Sequence, residues 1–463
     1  MFSPTDTIVA IATPPGRGGV GVVRVSGPRA REIARQILTV GRDLAPRHAT
    51  RTHALGPDGR PADEVVATLF AAPHSYTVDD VVEISGHGSP ALLRGIVAGA
   101  VAAGARLADP GEFTLRAFLN GRIDLVQAEA VADLVAAVTP LQARVAFDQL
   151  EGTLTRAIGA LDDELFDLAA RLEASLDFPD EGYHFVARDE AGAVLRRVRA
   201  GIDTLLATAR LGRVIREGRQ VAIVGKPNVG KSSLFNWLVG TDRAIVTDRP
   251  GTTRDLVTET IDFEGVRLGL VDTAGLRPPE DAVEHEGISR ARAAAGVAEL
   301  VLAVFDRSRP FDDEDRAVLE HTAAARRIVV LNKTDLARAA GAGLPGADLP
   351  FAGPASTTVT ISLKTGTGLD DLRRALRAAL DAGDDAPRDA PLVTNLRHET
   401  LLRRAAASLD RALDGVETRG EESHEELVLD DIAAARDAFG EVTGRRATDD
   451  VLRHILEGFC IGK

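Results

Sequence analysis

The chain has 463 residues, 44% of them hydrophobic and 27% charged, with a formal net charge of −14. That length exceeds one ordinary domain, and the apolar content is ample for two or three cores. An acidic chain is repelled by nucleic acid at long range, so any RNA contact must be a local basic patch. The single cysteine, Cys460, excludes an internal disulfide and by itself makes no structural zinc site. No apolar run approaches the roughly 18 residues of a membrane helix, and the first residues carry no basic-then-apolar signal, so a cytoplasmic protein is expected.

Residues 1–121 are Gly-rich and strand-like. The runs Ile8–Ala12, Gly19–Val25, Val65–Phe70 and Asp80–Ile84 predict strands, and Arg29–Leu38 and Pro90–Ala103 predict helices, together an α+β domain. Residues 122–219 carry long runs rich in Ala, Leu, Arg and Glu. Ala128–Val138, with apolar residues at helical spacing, is an example. Asp177–Gly182 interrupts them with a Pro and a Gly. Residues 220–382 alternate short apolar strands with helices, the pattern of a doubly wound parallel sheet. A Pro- and Asp-rich stretch from Gly383 reads as a linker, and helical texture returns from Asn395. The expected architecture is multidomain: an α+β N-terminal domain, an all-α helical bundle from 122–219 plus 383–463, and an α/β Ras-like P-loop GTPase domain inserted at 220–382.

Four elements in order carry the nucleotide reading. Gly225-Lys226-Pro227-Asn228-Val229-Gly230-Lys231-Ser232 fits G-x-x-x-x-G-K-S between the strand Val221–Val224 and the helical run Ser233–Leu238. Its amides and the helix N-terminus favour phosphate, Lys231 reaches the β- and γ-phosphates, and the Ser232 hydroxyl suits magnesium. The loop Thr247-Asp248-Arg249-Pro250-Gly251-Thr252-Thr253-Arg254-Asp255 offers threonine hydroxyls to the same metal. Asp272-Thr273-Ala274-Gly275 ends the strand Val266–Val271. Its carboxylate suits a water-mediated hold on magnesium, and its last amide suits the γ-phosphate. Asn332-Lys333-Thr334-Asp335 follows Ile328–Leu331, and its carboxylate can accept from N1–H and the 2-amino group of guanine, a pair adenine lacks. Ser362-Leu363-Lys364, after Thr358–Ile361, would close over the base. Nucleotide contacts are therefore expected from Asn228 to Ser233 (Asn228, Val229, Gly230, Lys231, Ser232, Ser233), from Thr247 to Thr253, from Asp272 to Gly275, and from Asn332, Lys333, Asp335 and Ser362.

Hydrolysis needs a group to orient water. Leu276 occupies the position where a Ras-type enzyme often has glutamine, so the group must come from elsewhere. Glu284, in an acidic segment, is the candidate; a merely solvated loop is the bland alternative. The charge on the transferring phosphoryl group needs a cation. Arg249, Arg254 or Arg277 could supply it, or a monovalent ion ligated by Asn228.

These residues, with Ile8-Val9-Ala10 through Gly21, Gly86-His87-Gly88, Gly111 to Arg122, and Phe459-Cys460-Ile461-Gly462-Lys463, resemble the tRNA-modification GTPase family MnmE (TrmE) over essentially the whole length. The resemblance implies GTP hydrolysis in the modification of C5 of the tRNA wobble uridine, a carboxymethylaminomethyl-type group, with an FAD-dependent MnmG-type partner in a hetero-oligomer. It implies a homodimer, and 5-formyltetrahydrofolate or a related tetrahydrofolate held by Arg24, Glu83, Arg122 and Lys463. It implies magnesium on Ser232 and Thr253, and potassium on Asn228, Thr247, Arg249 and Thr252. The family's catalytic glutamate falls on Glu284. Arg249-Pro250 departs from the apolar-then-small pair common in the potassium loop, and Leu363 stands where alanine is usual.

Smaller signals stay two-sided. Arg24 and Arg122 read alone as surface arginines and Glu83 as an edge-strand charge, whereas folate offers carboxylates that arginine grips bidentately and a guanine-like edge for Glu83. Cys460 is a buried small residue, a poor prenylation match, or a catalytic nucleophile helped by Lys463. His87 is a ligand-binding or a satisfied loop histidine. Trp237 reads as packing, and Lys364 as a neighbour of the base. The rival function is a regulatory or ribosome-assembly GTPase switch, for which a KH module or second P-loop would be expected; the sequence has neither.

Overall fold

The computed structural model describes residues 6–41, 43–177, 186–241, 243–244, 259–272, 298–338, 356–380, 390–417, 423–445 and 462. The chain divides into two compact units: Met1–Val135, Gln149–Arg199 and Arg404–Lys463 in one, Ala136–Asp148 and Ala200–Arg403 in the other.

In the first unit the order is β1 (Ile8–Ile11), β2 (Gly18–Ser26), α1 (Ala30–Ile37), β3 (Thr50–Leu55), β4 (Pro61–Phe70), β5 (Val81–Gly88), α2 (Pro90–Ala102), β6 (Arg106–Leu107) and α3 (Glu112–Leu119). The sheet order is β3-β4-β5-β2-β1-β6, antiparallel except for the β1–β6 pair. Side chains alternate along each strand, so Val9, Val23, Val25, Val82 and Ile84 share the face that packs against Ile33 and Ile37 of α1 and Leu93 and Ile96 of α2. Ile8 and Ala10 point the other way, onto Phe113 of α3. The sequence runs predict β1, β2, α1 and α2 within a residue or two. They miss β3, whose polar residues (Thr50-Arg51-Thr52-His53) hide the alternation of buried Thr52 and Ala54, and the two-residue β6.

The same unit holds α4 (Leu125–Ala136), α6 (Thr153–Asp177), α7 (Arg188–Ala207) up to Arg199, α12 (Leu396–Glu417) from Arg404, and α13 (Ser423–Thr443). Helix α6 packs on α13. Ion pairs join helices from before residue 220 to helices from after 395: Asp162–Arg436, Arg196–Glu417 and Arg199–Asp410.

The second unit contains α5 (Pro140–Leu150) up to Asp148, α8 (Ala209–Glu217), β7 (Arg219–Val224), α9 (Lys231–Thr241), β8 (Arg243–Ala244), β9 (Glu259–Phe263), β10 (Val266–Asp272), β11 (Leu300–Asp306), α10 (Asp313–His321), β12 (Arg327–Asn332), β13 (Ser356–Thr360) and α11 (Leu369–Ala379). The order is β13-β12-β11-β7-β10-β9-β8, parallel from β13 to β10, with β9 and β8 antiparallel. Val221 and Ile223 face one core with Leu234 and Leu238 of α9 and Leu372 and Leu376 of α11. Ala222 and Val224 face another with Val318 and Leu319 of α10. Cover on both faces explains why these strands read as unbroken apolar runs rather than alternating ones. Helices α5 and α8 carry the same helical texture as the bundle yet pack here: the Thr139 hydroxyl before α5 donates to Gly265 O at the β9–β10 turn, and Gln142 Nε2 donates to Arg216 O of α8. Among the described residues no helix is long and apolar enough to cross a membrane.

One buried charge cluster ties the first unit together. Glu112, 1% exposed, pairs with Arg106 at 2.6 Å and with Arg116 at 3.0 Å; Arg116, 4% exposed, also pairs with Asp6. Burial opposes the Glu112 charge. Hydrogen bonds from Arg106, the Asp109 amide and Arg116 outweigh it and hold the carboxyl below its ordinary 4.5. A carboxylate depressed in the folded state stabilises above its unfolded value and loses that contribution as pH falls through the folded value. Glu112→Gln is therefore expected to destabilise the chain by about 3 kcal/mol at neutral pH. It should also flatten the loss of stability below the ordinary glutamate range, both measured by urea unfolding across pH.

Candidate functional site

Parallel strands bring their C-terminal ends to one edge, and ligands of such sheets sit where strand order reverses. Here the reversal lies beside β7: β10 is on one side and β11 on the other. The loop leaving β7 has three left-handed positions, Gly225 at φ +147°, Asn228 at +66° and Gly230 at +110°. A Cβ on Gly225 would strike the Val304 carbonyl of β11, and one on Gly230 would strike the Asn332 amide. Both glycines are thus demanded by close approach as well as by backbone angle. The loop delivers Lys231 as the first residue of α9, with the hydroxyls of Ser232 and Ser233 exposed in its first turn. The Lys231 ammonium donates to the Lys226 carbonyl at 2.7 Å.

Asn332, 3% exposed at the end of β12, donates to Val229 O at 2.8 Å and accepts from the Leu363 amide at 3.2 Å. Its one side chain joins the loop after β7 to the loop after β13. The fully buried Ser362 donates to Asp335 Oδ1 at 2.7 Å, and that bond holds the exposed Asp335 carboxyl below the usual aspartate range. Lys333 adopts a left-handed backbone, φ +65°, and donates to Asp306 Oδ2 at 2.6 Å. Burial raises the Asp306 carboxyl, but Lys333 and Ser308 more than offset it and leave it lowered.

A further pairing is invisible to motif reading. Lys226 reaches Asp312 at 2.6 Å and Asp315 at 2.7 Å, the two members of a capping box at the start of α10. Burial disfavours the Lys226 charge, yet the two carboxylates hold its ammonium above the lysine range. The more open Asp312 is lowered, chiefly by Lys226; the sealed Asp315 is raised by its own burial despite the same partner. The Asp-x-x-Asp spacing before an apolar run is a helix-start signal the sequence does offer.

On the first unit's sheet, Arg24 of β2 lies directly opposite Glu83 of β5 and pairs with its Oε1 at 2.7 Å. The guanidinium lies over the rings of Tyr76 and Phe113, at 5.6 and 5.5 Å to their centroids, and donates to Gly462 O at 3.4 Å. Arg122 lies 6.0 Å from the Tyr76 ring and donates to Ser75 O. Two of the expected folate residues, Arg24 and Arg122, thus meet at the Tyr76 ring, and a third, Glu83, pairs with Arg24. Glu83 Oε2 accepts no hydrogen bond among the described residues. His87 is satisfied: its Nδ1 meets Asp63 Oδ1 at 2.6 Å and its amide donates to Asp63 Oδ2. Trp237 packs against the α9 core, and Lys364 is exposed beside the Ser362 turn. Thr247 to Thr253, Arg254, the side chain of Asp272, Thr273 to Gly275, Arg277, Glu284, Cys460 and Lys463 lie outside the described residues.

A family model described as the MnmE helical domain matches residues 125–460, and one described as the GTP-binding protein TrmE N-terminus matches residues 7–122. Proteins named tRNA modification GTPase MnmE are similar over nearly the whole chain. That of Koribacter versatilis is 45% identical over 99% of both chains. That of Chloroflexus aurantiacus is 44% identical over 99% of this chain and 100% of its own. That of Aquifex aeolicus is 41% identical over 99% and 100%.

The Gly230–Asn332 approach yields a direct test. Gly230→Ala adds a methyl group where the Asn332 amide sits, on a backbone that L-residues avoid. It is expected to cost about 2–4 kcal/mol of stability, seen as a lowered midpoint in thermal unfolding without nucleotide.

Proposed function

The chain belongs to the tRNA modification GTPase MnmE family, and from that premise we propose that it hydrolyses GTP in the modification of C5 of the tRNA wobble uridine. The observation that carries the GTP reading is the Asn332 bridge: one buried amide locks the loop bearing Lys231 and Ser232 to the loop bearing Asp335 and Ser362. Amides from Gly230 to Ser233 at the start of α9 and the Lys231 ammonium take the phosphates. Asp335, kept ionised and oriented by Ser362, accepts both donors of the guanine edge.

We assign two metals to this site. The Ser232 hydroxyl is exposed in the first turn of α9 with no partner among the described residues, and we assign it with Thr253 to magnesium, with a water-mediated hold from Asp272. Magnesium supplies neutralising charge to the phosphate oxygens. Asn228, left-handed and exposed at the head of the loop, is our first ligand for potassium, with Thr247, Arg249 and Thr252. Potassium supplies the positive charge that an arginine finger gives elsewhere. Glu284 orients the attacking water.

A tetrahydrofolate such as the 5-formyl form fits the Arg24–Glu83 face. The Glu83 oxygen that accepts no hydrogen bond among the described residues suits the donor edge of a pterin, the part-exposed Tyr76 ring offers flat apolar surface, and Arg24, Arg122 and Lys463, which follows Gly462, suit carboxylates. A tetrahydrofolate of this kind supplies a one-carbon unit. Cys460, two residues before Gly462, is the candidate nucleophile. The domains are 1–121, 122–219 with 383–463, and 220–382. The protein works as a homodimer with an FAD-dependent MnmG-type partner on tRNA in the cytoplasm.

Deleting the encoding gene and analysing wobble-uridine nucleosides by mass spectrometry tests the function: the C5-modified nucleoside should vanish, and an unchanged profile refutes the modification. Glu284→Ala should abolish GTP turnover with nucleotide affinity near normal in calorimetry; unimpaired turnover removes Glu284 from its role. Glu83→Gln in the intact chain should lose most binding of 5-formyltetrahydrofolate, and retained affinity argues against that face.

A further inference from the structure

The connection from Asp306 to Asp315 carries no nucleotide motif, yet it receives a lysine from each of two motifs. Lys333, beside Asp335, is seated on Asp306 at 2.6 Å; Lys226, inside the phosphate loop, is seated on Asp312 at 2.6 Å and Asp315 at 2.7 Å. The Lys226 seat is braced because one oxygen of each carboxylate also accepts from the backbone at the helix start. Asp312 Oδ1 accepts from the amides of Glu314 and Asp315 at 3.1 Å each, and Asp315 Oδ2 accepts from the Asp312 amide at 3.3 Å. A helix terminus closed in this way has little freedom to follow a moving lysine.

The backbone carbonyl of this anchored Lys226 accepts the Lys231 ammonium at 2.7 Å. Lysine is a flexible four-carbon stem, so where its charge rests depends on what it bonds. The loop is fixed at two places: at Lys226 by α10, and at Val229 by Asn332. Pro227 and Asn228 lie exposed between them.

We infer that Lys226, seated on Asp312 and Asp315, is a positioning residue for GTP hydrolysis: it fixes the carbonyl that aims Lys231 at the phosphates, while Asp306 does the corresponding service for the base-recognising loop through Lys333. The inference rests on the reading of Lys231 as the phosphate-binding lysine. It divides the connection into a phosphate-side seat and a base-side seat, and each leaves its own kinetic signature.

The test compares steady-state hydrolysis of GTP and ITP, which lacks the 2-amino group, by the full chain and its variants. Lys226→Met keeps the stem and removes the charge. It should lower kcat/KM for both nucleotides by the same factor, about 10-fold or more, because only phosphate alignment is lost. Lys226→Arg should restore most of the rate. Asp306→Asn should change the GTP-to-ITP ratio instead. A purely structural role would lower the unfolding midpoint without either pattern. Should Lys226→Met fail to fold, Asp312→Asn weakens the seat more gently at a half-open carboxylate and should lower both rates in parallel. Unchanged kcat/KM in the Lys226 or Asp312 variant, or no recovery with arginine, overturns the inference. Absence of GTP turnover by the unsubstituted chain overturns the function itself, a distinct result.

Discussion

The nucleotide unit depends on a hydrogen-bond bridge that exists only because a side chain is missing. Asn332 reaches Val229 O across the space that a Cβ on Gly230 would fill, and its other end receives the Leu363 amide. The first bond is buried and the second half-buried, in surroundings where an unpaired amide is costly and a paired one holds firmly. Three loops that leave three different strands are thereby kept in one register. Asp335 and Lys231 inherit their relative placement from that bridge more than from their own contacts.

The parallel sheet supplies the coarse arrangement and the side chains the fine one. Burial on both faces keeps β7, β11 and β12 aligned, so their C-terminal ends present a common rim. At that rim the chain uses left-handed residues, Gly225, Asn228, Gly230 and Lys333, to turn tightly enough for loops to touch. The first unit works differently. Its sheet is covered by α1 and α2 on one face, and the other face carries Phe113 of α3 and Tyr76 beside the Arg24–Glu83 pair. The guanidinium is held there both by the carboxylate and by the faces of the rings.

What the sequence discloses depends on how local the cause is. Strands β1, β2, β7, β10 and β12 announce themselves because their apolar runs are decided by immediate neighbours. The glycines of the phosphate loop do so because their spacing is chemical. Strand β3 is hidden, since threonines, an arginine and a histidine fill its pattern, although it pairs with the next strand, β4, across a short turn. The allegiance of α5 and α8 is hidden for a similar reason: their composition matches the bundle helices, and only contacts such as Thr139 with Gly265 show which body they join. Glu112 and Arg116 sit in a block whose resemblance is plain, but nothing in the string says that they are buried together. Tyr76 and the Asp312–Asp315 seat went unread because each acts on a residue far away in sequence.

Gly462 is buried against the Ile11 carbonyl, with no room for a Cβ, and it meets Arg24 from 438 positions away. On the ribosome, Arg24 of strand β2 emerges 438 residues before Gly462, so this contact closes long after the strand itself can pair. Until Gly462 has been made, the Arg24 guanidinium lacks one of its acceptors.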